Sequence, residues 1–165
     1  MTEKIFMESY WRNRLDAAQQ EHHAIYLCPA EEWRRIEDRH REIIKGFISD
    51  TDSVLDAGCG WGRLLTLMPP TWKGPYLGVD LSPDFIREAK RKNPSRSSQF
   101  EIGDLRRVSS IARVRYDWAV LISIKQMVKR NEGSGAWNRI ENELRSVVDR
   151  ILILEYDETD TGEVL

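Results

Sequence analysis

Three glycines at alternate positions, Gly58, Gly60 and Gly62, constrain this chain more than any other feature of its sequence. They follow residues 53–57, which predict a short buried strand, and precede residues 63–68, which are predicted to be helical. Glycine permits positive φ angles and lets a ligand approach the backbone closely. A helix N-terminus adds unpaired N–H groups and a partial positive charge. A strand, a glycine turn and a helix therefore predict a ligand site at the carboxyl end of that strand.

The spacing of the glycines narrows the class of ligand. It reads Gly-x-Gly-x-Gly, whereas a pyrophosphate-binding loop reads Gly-x-Gly-x-x-Gly, and no Gly-Lys-Ser/Thr of a P-loop follows. Asp56 lies directly before the loop, where a carboxylate suits an ammonium or sulfonium group. Asp80 ends the next predicted strand, where an acid can accept both hydroxyls of a ribose. The pattern predicts a nucleoside that carries a cationic tail.

The rest of the chain alternates between strand and helix patterns, which predicts an α/β fold. Four more strands are predicted, at residues 76–80, 100–102, 117–123 and 150–156. These strands are apolar throughout, which indicates a mostly parallel, Rossmann-like sheet of about five strands with helices on both faces. Residues 8–48 look helical. We therefore expect a single domain, with a helical cap over residues 1–50 and a core over residues 51–165, a length typical of one domain.

Several local features follow from the same patterns. An apolar stripe that includes Trp33 and His40 predicts one buried face on the helix before the glycine loop. Ser82 is predicted to cap the helix that follows it. Residues 131–135 are predicted to form a flexible loop. Residues 157–165 are acidic and show no pattern, so the fold is expected to be shortened at the C-terminus, with its fifth strand at an open edge.

The motifs resemble those of class I S-adenosylmethionine-dependent methyltransferases, over about residues 53–156. Residues 56–62 resemble the first motif of that family, and residues 78–82 resemble its ribose-binding segment. Residues 103–105 resemble the segment whose acid meets the adenine amino group. Residues 116–123 resemble the fourth-strand motif beside the methyl donor. The resemblance implies a methyltransferase with S-adenosylmethionine as cofactor and S-adenosylhomocysteine as product.

The resemblance also implies a set of binding residues. The cofactor-binding set is Asp56, Gly58, Cys59, Gly60, Trp61, Gly62, Asp80, Leu81, Gly103, Asp104, Leu105, Ile122 and Ser123. Tyr10, Trp11 and Lys125 are candidates for binding the substrate or forming a lid. No catalytic base is identified, and no metal is expected.

Each assignment has a simpler structural alternative. The glycine loop also fits a tight turn in another Rossmann-like protein, because a fold does not fix a function. Asp80 also fits a helix cap, and Asp104 fits an ordinary loop acid. Cys59 fits a small residue that contributes only backbone, and Tyr10 and Trp11 fit simple packing on the sheet.

The fourth-strand motif narrows the methyl acceptor. Family members that methylate nucleobase amines commonly carry Asn/Asp-Pro-Pro-Tyr/Phe there, whereas residues 122–125 read Ile-Ser-Ile-Lys. No Pro-Cys pair for cytosine C5 is present either. We therefore expect a small molecule or a protein side chain as acceptor, and a nucleic acid is not favoured. The alternatives are a non-catalytic methyltransferase-like subunit that binds a partner protein and a nucleotide-cofactor oxidoreductase.

Composition and cysteine content exclude several other classes. The chain has 25 Lys and Arg against 27 Asp and Glu, a formal charge of −2, so it is not basic overall. Cys28 and Cys59 are too few for a disulfide scaffold or a cysteine-rich zinc site. With no signal-like segment and no apolar run that spans a bilayer, a cytoplasmic protein without membrane contact is expected. A second copy, a partner chain or the N-terminal helices are expected to cover the open edge of the fifth strand.

Overall fold

A computed structural model describes residues 28–156 and 160–165, which form one six-stranded sheet. The strands are β1 Val54–Ala57, β2 Tyr76–Asp80, β3 Phe100–Ile102, β4 Tyr116–Ile122, β5 Val148–Leu154 and β6 Glu163–Val164. Their order is β3-β2-β1-β4-β5-β6, with β1 to β5 parallel and β6 antiparallel to β5. The order reverses between β1 and β4, which opens a crevice at the carboxyl ends of those two strands. The expected Rossmann-like α/β fold is confirmed.

Helices cover both faces of the sheet. The α-helices are α1 Ala30–Phe47, α2 Leu64–Leu67, α3 Pro83–Lys92, α4 Ile124–Glu132 and α5 Ser134–Val147, and short 3₁₀ helices lie at Pro94–Gln99 and Leu105–Ser110. Helices α1, α2 and α3 pack on one face, and α4, α5 and the second 3₁₀ helix pack on the other. Alternate residues of each strand therefore enter different cores: Leu121 faces α4 and α5, whereas Val120 faces α1 to α3. Burial on both faces explains the continuous apolar runs at residues 118–122 of β4 and 151–154 of β5.

The predicted apolar stripe of α1 faces the core. Trp33, Ile36, His40 and Ile44 are its buried residues, at the expected spacing of three and four. The predicted cap of α3 is also present, because the Ser82 hydroxyl accepts a hydrogen bond from the Phe85 N–H.

The flexible loop predicted at residues 131–135 is wrong. Helix α4 continues to Glu132, and Gly133, with φ of 81°, is the only residue between it and α5. Burial of Val128 anchors the helix, and the Asn131 side chain donates to the Met127 carbonyl within it. Tertiary contacts thus extend a helix that the polar local sequence does not predict.

The open edge predicted at β5 is also wrong. The chain's own residues 163–165 pair with it: Leu152 faces Val164, and Ile151 and Leu165 exchange backbone hydrogen bonds of 3.1 and 3.0 Å. A two-residue strand carries no periodic signal, so the sequence could not reveal it. Because β6 supplies these hydrogen bonds, the apolar strand β5 needs no second chain at this edge.

The helices of the described residues include none that is long and apolar enough to cross a membrane.

Candidate functional site

A cavity opens at the carboxyl ends of β1, β2 and β4, where the strand order predicts a ligand site. It brings together many of the predicted residues: Gly58, Gly60, Asp80, Leu81, Gly103, Asp104, Leu105, Ile122 and Ser123. Further lining residues are apolar side chains from α3, α4 and α5, namely Phe85, Ile124, Met127, Val128 and Ile140. We call this the main cavity. A slot with apolar walls and a few carboxylates suits a flat heterocycle joined to a sugar.

The glycine loop has no room for a Cβ at Gly58 or Gly62, whereas Gly60 faces open space among the described residues. Gly58 has φ of +83°, and a Cβ there would lie 2.4 Å from Cδ1 of Ile124. Gly60 has φ of +52°, and a Cβ there would meet no atom of the described residues within 4 Å. A ligand can therefore approach the backbone at Gly60, while Gly58 lets the loop lie against α4.

Asp80 holds the loop in place. Its Oδ2 accepts the Gly60 N–H at 2.9 Å, and its Oδ1 accepts the Ser82 N–H at 2.8 Å. Burial raises the pKa of the Asp80 carboxyl to about 6, although these hydrogen bonds lower it. Since Ser82 caps α3, Asp80 does not serve as that cap.

Asp56 lies deeper, beside a smaller cavity that shares Gly58, Gly60 and Ile122 with the main cavity. The Tyr76 hydroxyl donates to its Oδ2 at 2.7 Å, and burial raises the pKa of the Asp56 carboxyl to about 7. The lining residues of this cavity are Asp56, Gly58, Cys59, Gly60, Trp61, Arg63, Leu64, Ile122 and Tyr156. The carboxyl group of Asp56 and the guanidinium of Arg63 thus line the same small cavity, which suits a ligand with an ammonium and a carboxylate group. A cation there favours ionised Asp56.

Arg63 is a candidate site residue that the sequence patterns did not predict, and it lines the smaller cavity. It is 5% exposed, and its guanidinium donates to the Tyr156 hydroxyl at 2.6 Å and to Glu37 Oε1 at 3.3 Å. A third contact joins its Nη2 to Nδ1 of His40 at 3.3 Å, and the guanidinium lies 4.5 Å from the centre of the Trp33 ring. The only sequence signal is the position of Arg63 directly after Gly62, because its partners lie far along the chain.

His40 completes this cluster as a neutral imidazole. Burial and the nearby Arg63 charge lower the pKa of His40 to about 4. With its proton on Nε2, the ring donates to the Glu155 carbonyl at 2.9 Å and accepts from Arg63 at Nδ1. We call Arg63, His40, Glu37 and Tyr156 the buried arginine cluster. It joins α1 to the end of the glycine loop.

Asp104 lies on the wall of the main cavity and is bound by Arg106. The Nη2 of Arg106 donates to Asp104 Oδ2 at 2.8 Å, and the backbone N–H of Arg106 donates to Oδ1 at 2.9 Å. Asp104 thus also caps the second 3₁₀ helix. Arg106 and Glu132 were not predicted, and the chain separation of Glu132 from this loop leaves no local signal.

Ser123 is the most unusual residue of the site. Its φ of 59° places it in the left-handed region that non-glycine residues rarely adopt. Its buried hydroxyl has no hydrogen-bond partner among the described residues. A strained backbone and an unpaired buried hydroxyl beside a cavity are features of ligand sites, since a ligand can supply the missing partner.

The remaining predicted residues that the structure describes do not line the main cavity, although Cys59 and Trp61 line the smaller one. Cys59 is buried, and its thiol pKa is raised well above the usual value by burial, which keeps it protonated. The ring of Trp61 contacts that of Phe85, with 5.7 Å between the ring centres. Gly62 packs against Phe100, since a Cβ there would lie 2.9 Å from Cζ of that ring. The Lys125 amine pairs with Glu163 of β6. Tyr10 and Trp11 lie outside the described residues.

A family model described as a methyltransferase domain matches residues 54–146, more than half of the chain. The chain therefore belongs to the methyltransferase domain family. The predicted enzyme class, a transferase that uses S-adenosylmethionine, and the predicted cofactor are confirmed. Nothing found supports the non-catalytic alternative.

Solved structures share the fold at low sequence identity. One is a protein of Pyrococcus horikoshii, 24% identical with a TM-score of 0.60, covering 82% of this chain and 66% of its own. Another is a TehB-like methyltransferase of Corynebacterium glutamicum, 24% identical with a TM-score of 0.54, covering 91% and 71%. A third is magnesium protoporphyrin IX methyltransferase of Synechocystis with bound S-adenosylmethionine, 18% identical with a TM-score of 0.62, covering 93% and 76%. The chain thus spans 66% of the first of these proteins. No curated protein matches the chain.

Proposed function

We propose that this chain transfers the methyl group of S-adenosylmethionine to a small molecule or a protein side chain. The observation that carries the proposal is the placement of two acids next to the glycine loop, the buried Asp56 and the half-buried Asp80, each beside a cavity. The main cavity would hold the adenosine, and the smaller cavity would hold the amino-acid tail. The cofactor supplies a methyl group already activated on a sulfonium.

The residues around the loop have complementary roles in this proposal. Asp80 accepts the ribose hydroxyls, and Leu81 and Leu105 provide apolar contacts for the adenine. Asp56 pairs with the ammonium group of the tail. Arg63 is the cation on the same cavity and offers charge to the carboxylate. The buried cluster fixes the guanidinium in place, which limits the ordering cost of binding.

Ser123 is proposed to contact the ligand through its unpaired hydroxyl. It follows β4 directly, at the point where the main cavity meets α4. A hydroxyl can donate to or accept from either the cofactor or the acceptor. Positioning of the two reactants then provides most of the catalysis, since the methyl group is already activated.

A nucleic-acid acceptor is disfavoured by the charges of α3 as well as by the motif at residues 122–125. Three of the four basic residues of this helix lie within 4.0 Å of acids of the same helix: Arg87 contacts Asp84, and Arg91 and Lys92 contact Glu88. Such pairs reduce the positive potential that tracks a phosphate backbone.

Calorimetric titration with S-adenosylmethionine, S-adenosylhomocysteine and NADH tests the proposal. We expect the first two to bind with micromolar affinity and NADH not to bind. Asp80→Asn should weaken S-adenosylhomocysteine binding by about 10-fold or more, because the ribose hydroxyls lose an ionised acceptor. Asp84→Asn, the same change at a partly exposed position on α3, is the matched control and should leave the affinity unchanged. Equal affinities for wild type and Asp80→Asn would contradict the assignment.

The acceptor is then found by following methyl transfer from labelled cofactor. Pools of small metabolites, unfolded and folded proteins, and RNA or DNA are compared under the same conditions. Label in small molecules or protein supports the proposal, whereas label confined to nucleic acid would refute the proposed acceptor class.

A further inference from the structure

Two charged side chains outside the predicted site, those of Arg106 and Glu132, stand on the wall of the main cavity. Their neighbours on this wall, Met127, Val128 and Ile140, are apolar. The Arg106 side chain is 21% exposed and that of Glu132 is 14% exposed. Charged groups largely removed from water beside a ligand cavity need partners. Glu132 is paired with Arg106, and Arg106 is also paired with a predicted binding residue, Asp104.

Arg106 occupies both oxygens of the Asp104 carboxylate. Oδ1 accepts the backbone N–H at 2.9 Å and Nε at 3.0 Å. Oδ2 accepts Nη2 at 2.8 Å and Nε at 3.1 Å. We call the paired hydrogen bonds from the guanidinium to both carboxylate oxygens the fork. An ionised carboxylate offers about four lone-pair sites, so the fork and the backbone N–H leave little capacity for another donor. A ligand amino group at Asp104 must therefore compete with the arginine.

Glu132 gives Arg106 a second partner on the opposite side. The Nη1 of Arg106 donates to Glu132 Oε2 at 3.2 Å. Arg106 lies in the second 3₁₀ helix and Glu132 ends α4, so the guanidinium spans two elements of the cavity wall. If the fork leaves Asp104, the arginine still has a carboxylate beside it. Its charge is then never left unpaired, which keeps the exchange inexpensive.

We propose that Arg106 is a positioning residue that competes with the adenine amino group for Asp104 and transfers its fork to Glu132 when the cofactor binds. The inference rests on the proposed function, because it requires adenine to lie at Asp104. Both partners of the exchange are in contact with the arginine already. Asp104 and Glu132 therefore have opposite effects on Arg106. Pairing with Asp104 keeps the guanidinium where the adenine amino group would bind, and pairing with Glu132 stabilises it away from that position.

Titration with S-adenosylhomocysteine, which needs no acceptor, tests the exchange. Arg106→Met removes the competitor, so the affinity should rise roughly three- to tenfold. Glu132→Gln weakens the second partner and keeps the fork on Asp104, so the affinity should fall by a similar factor. Arg91→Met is the matched control, because Arg91 places an equivalent fork on Glu88, at 2.8 and 2.6 Å, on α3. It should change nothing.

Thermal melts without ligand check that each variant is folded. If Arg106→Met does not fold, Arg106→Lys replaces it, since a single ammonium cannot form the fork and should give a smaller rise in affinity. The inference is overturned if the affinity for S-adenosylhomocysteine falls or does not change when Arg106 is replaced by Met or by Lys. It is also overturned if that affinity rises on Glu132→Gln.

The outcomes separate this inference from the proposed function. Wild-type binding that Asp80→Asn weakens, with no gain on Arg106→Met, leaves the proposed function standing and rejects only the exchange. Binding by Arg106→Met but not by wild type supports both. Absence of binding in every variant rejects both.

Discussion

Two arginines flank the proposed site, and they differ mainly in burial. Arg63 is 5% exposed and has contacts to a tyrosine, a glutamate, a histidine and a tryptophan. Arg106 has two carboxylate partners and a side chain that is 21% exposed. Loss of one partner destabilises a protein strongly when the remaining charge is buried, and much less when water can solvate that charge. The comparison indicates that Arg63 fixes the site and that Arg106 adjusts it.

The largest expected effect comes from removing the buried arginine. Arg63→Met should lower the free energy of unfolding by about 3–5 kcal/mol, because Glu37, His40 and Tyr156 lose a shared partner in the protein interior. Denaturant titration measures the loss. The control is Arg35→Met, which removes an exposed i,i+4 pair with Glu31 and should cost less than about 1 kcal/mol. Similar losses for both variants would contradict the distinction.

Acid should weaken the buried arginine cluster through His40. The pKa of His40 is lowered to about 4, so between pH 6.5 and 4 the unfolded chain binds the proton that the folded chain excludes. The contribution of the neutral imidazole to stability is present above pH 6.5 and is lost as the pH falls through that window, by up to about 3 kcal/mol.

His40→Gln tests this pH dependence, since it removes the titrating group. The stability difference between wild type and His40→Gln, measured by denaturant titration, should shrink as the pH is lowered from 7 to 4. If the difference in free energy of unfolding stays constant from pH 7 to 4, the lowered pKa of folded His40 is contradicted. Asp56 and Asp80 titrate in both proteins and so cancel in the comparison.

Removal of Arg106, whose side chain is less buried than that of Arg63, should have a much smaller effect on folding. Arg106→Met should change the free energy of unfolding by no more than about 1 kcal/mol, because water replaces part of each ion pair. Denaturant titration at low and at 1 M salt checks this, since screening should reduce the effect further. A loss as large as that of Arg63→Met would mean that both arginines are structural.

The smallest expected effect lies at the C-terminal strand. Lys125 pairs with Glu163 of β6, and both side chains keep some contact with water. Lys125→Met should cost less than about 1 kcal/mol of stability. It should also leave cofactor affinity unchanged, because the backbone hydrogen bonds between Ile151 and Leu165 hold β6 in place. Loss of cofactor binding in calorimetry would instead support a direct role for Lys125 in the site.

Local patterns predicted the sheet well because its strands are short, apolar and bounded by turn residues. The predicted range 76–80 for β2 and 100–102 for β3 agree with the structure. The glycine loop and both acids beside it could likewise be found locally, because each lies at the end of one strand. The loop at residues 131–135 could not, because contacts of Val128 with the core decide where α4 ends.

The parts of the site that were missed depend on residues far apart in sequence. Arg63 meets His40 and Glu37 from α1 and Tyr156 after β5, with 23, 26 and 93 positions between the partners. Glu132 reaches Arg106 across 26 positions. Polar residues in such contacts look like surface residues in the sequence, since only the fold reveals that they are buried.

Ser123 is held in an energetically unfavourable state at the wall of the main cavity. Its left-handed backbone and unpaired hydroxyl together cost about 2–6 kcal/mol, if each contributes the usual 1–3 kcal/mol. A molecule that pairs with this hydroxyl recovers part of that cost in addition to its own contacts. Among ligands of similar size, those that form a hydrogen bond with the Ser123 hydroxyl should therefore raise the melting temperature of the protein most.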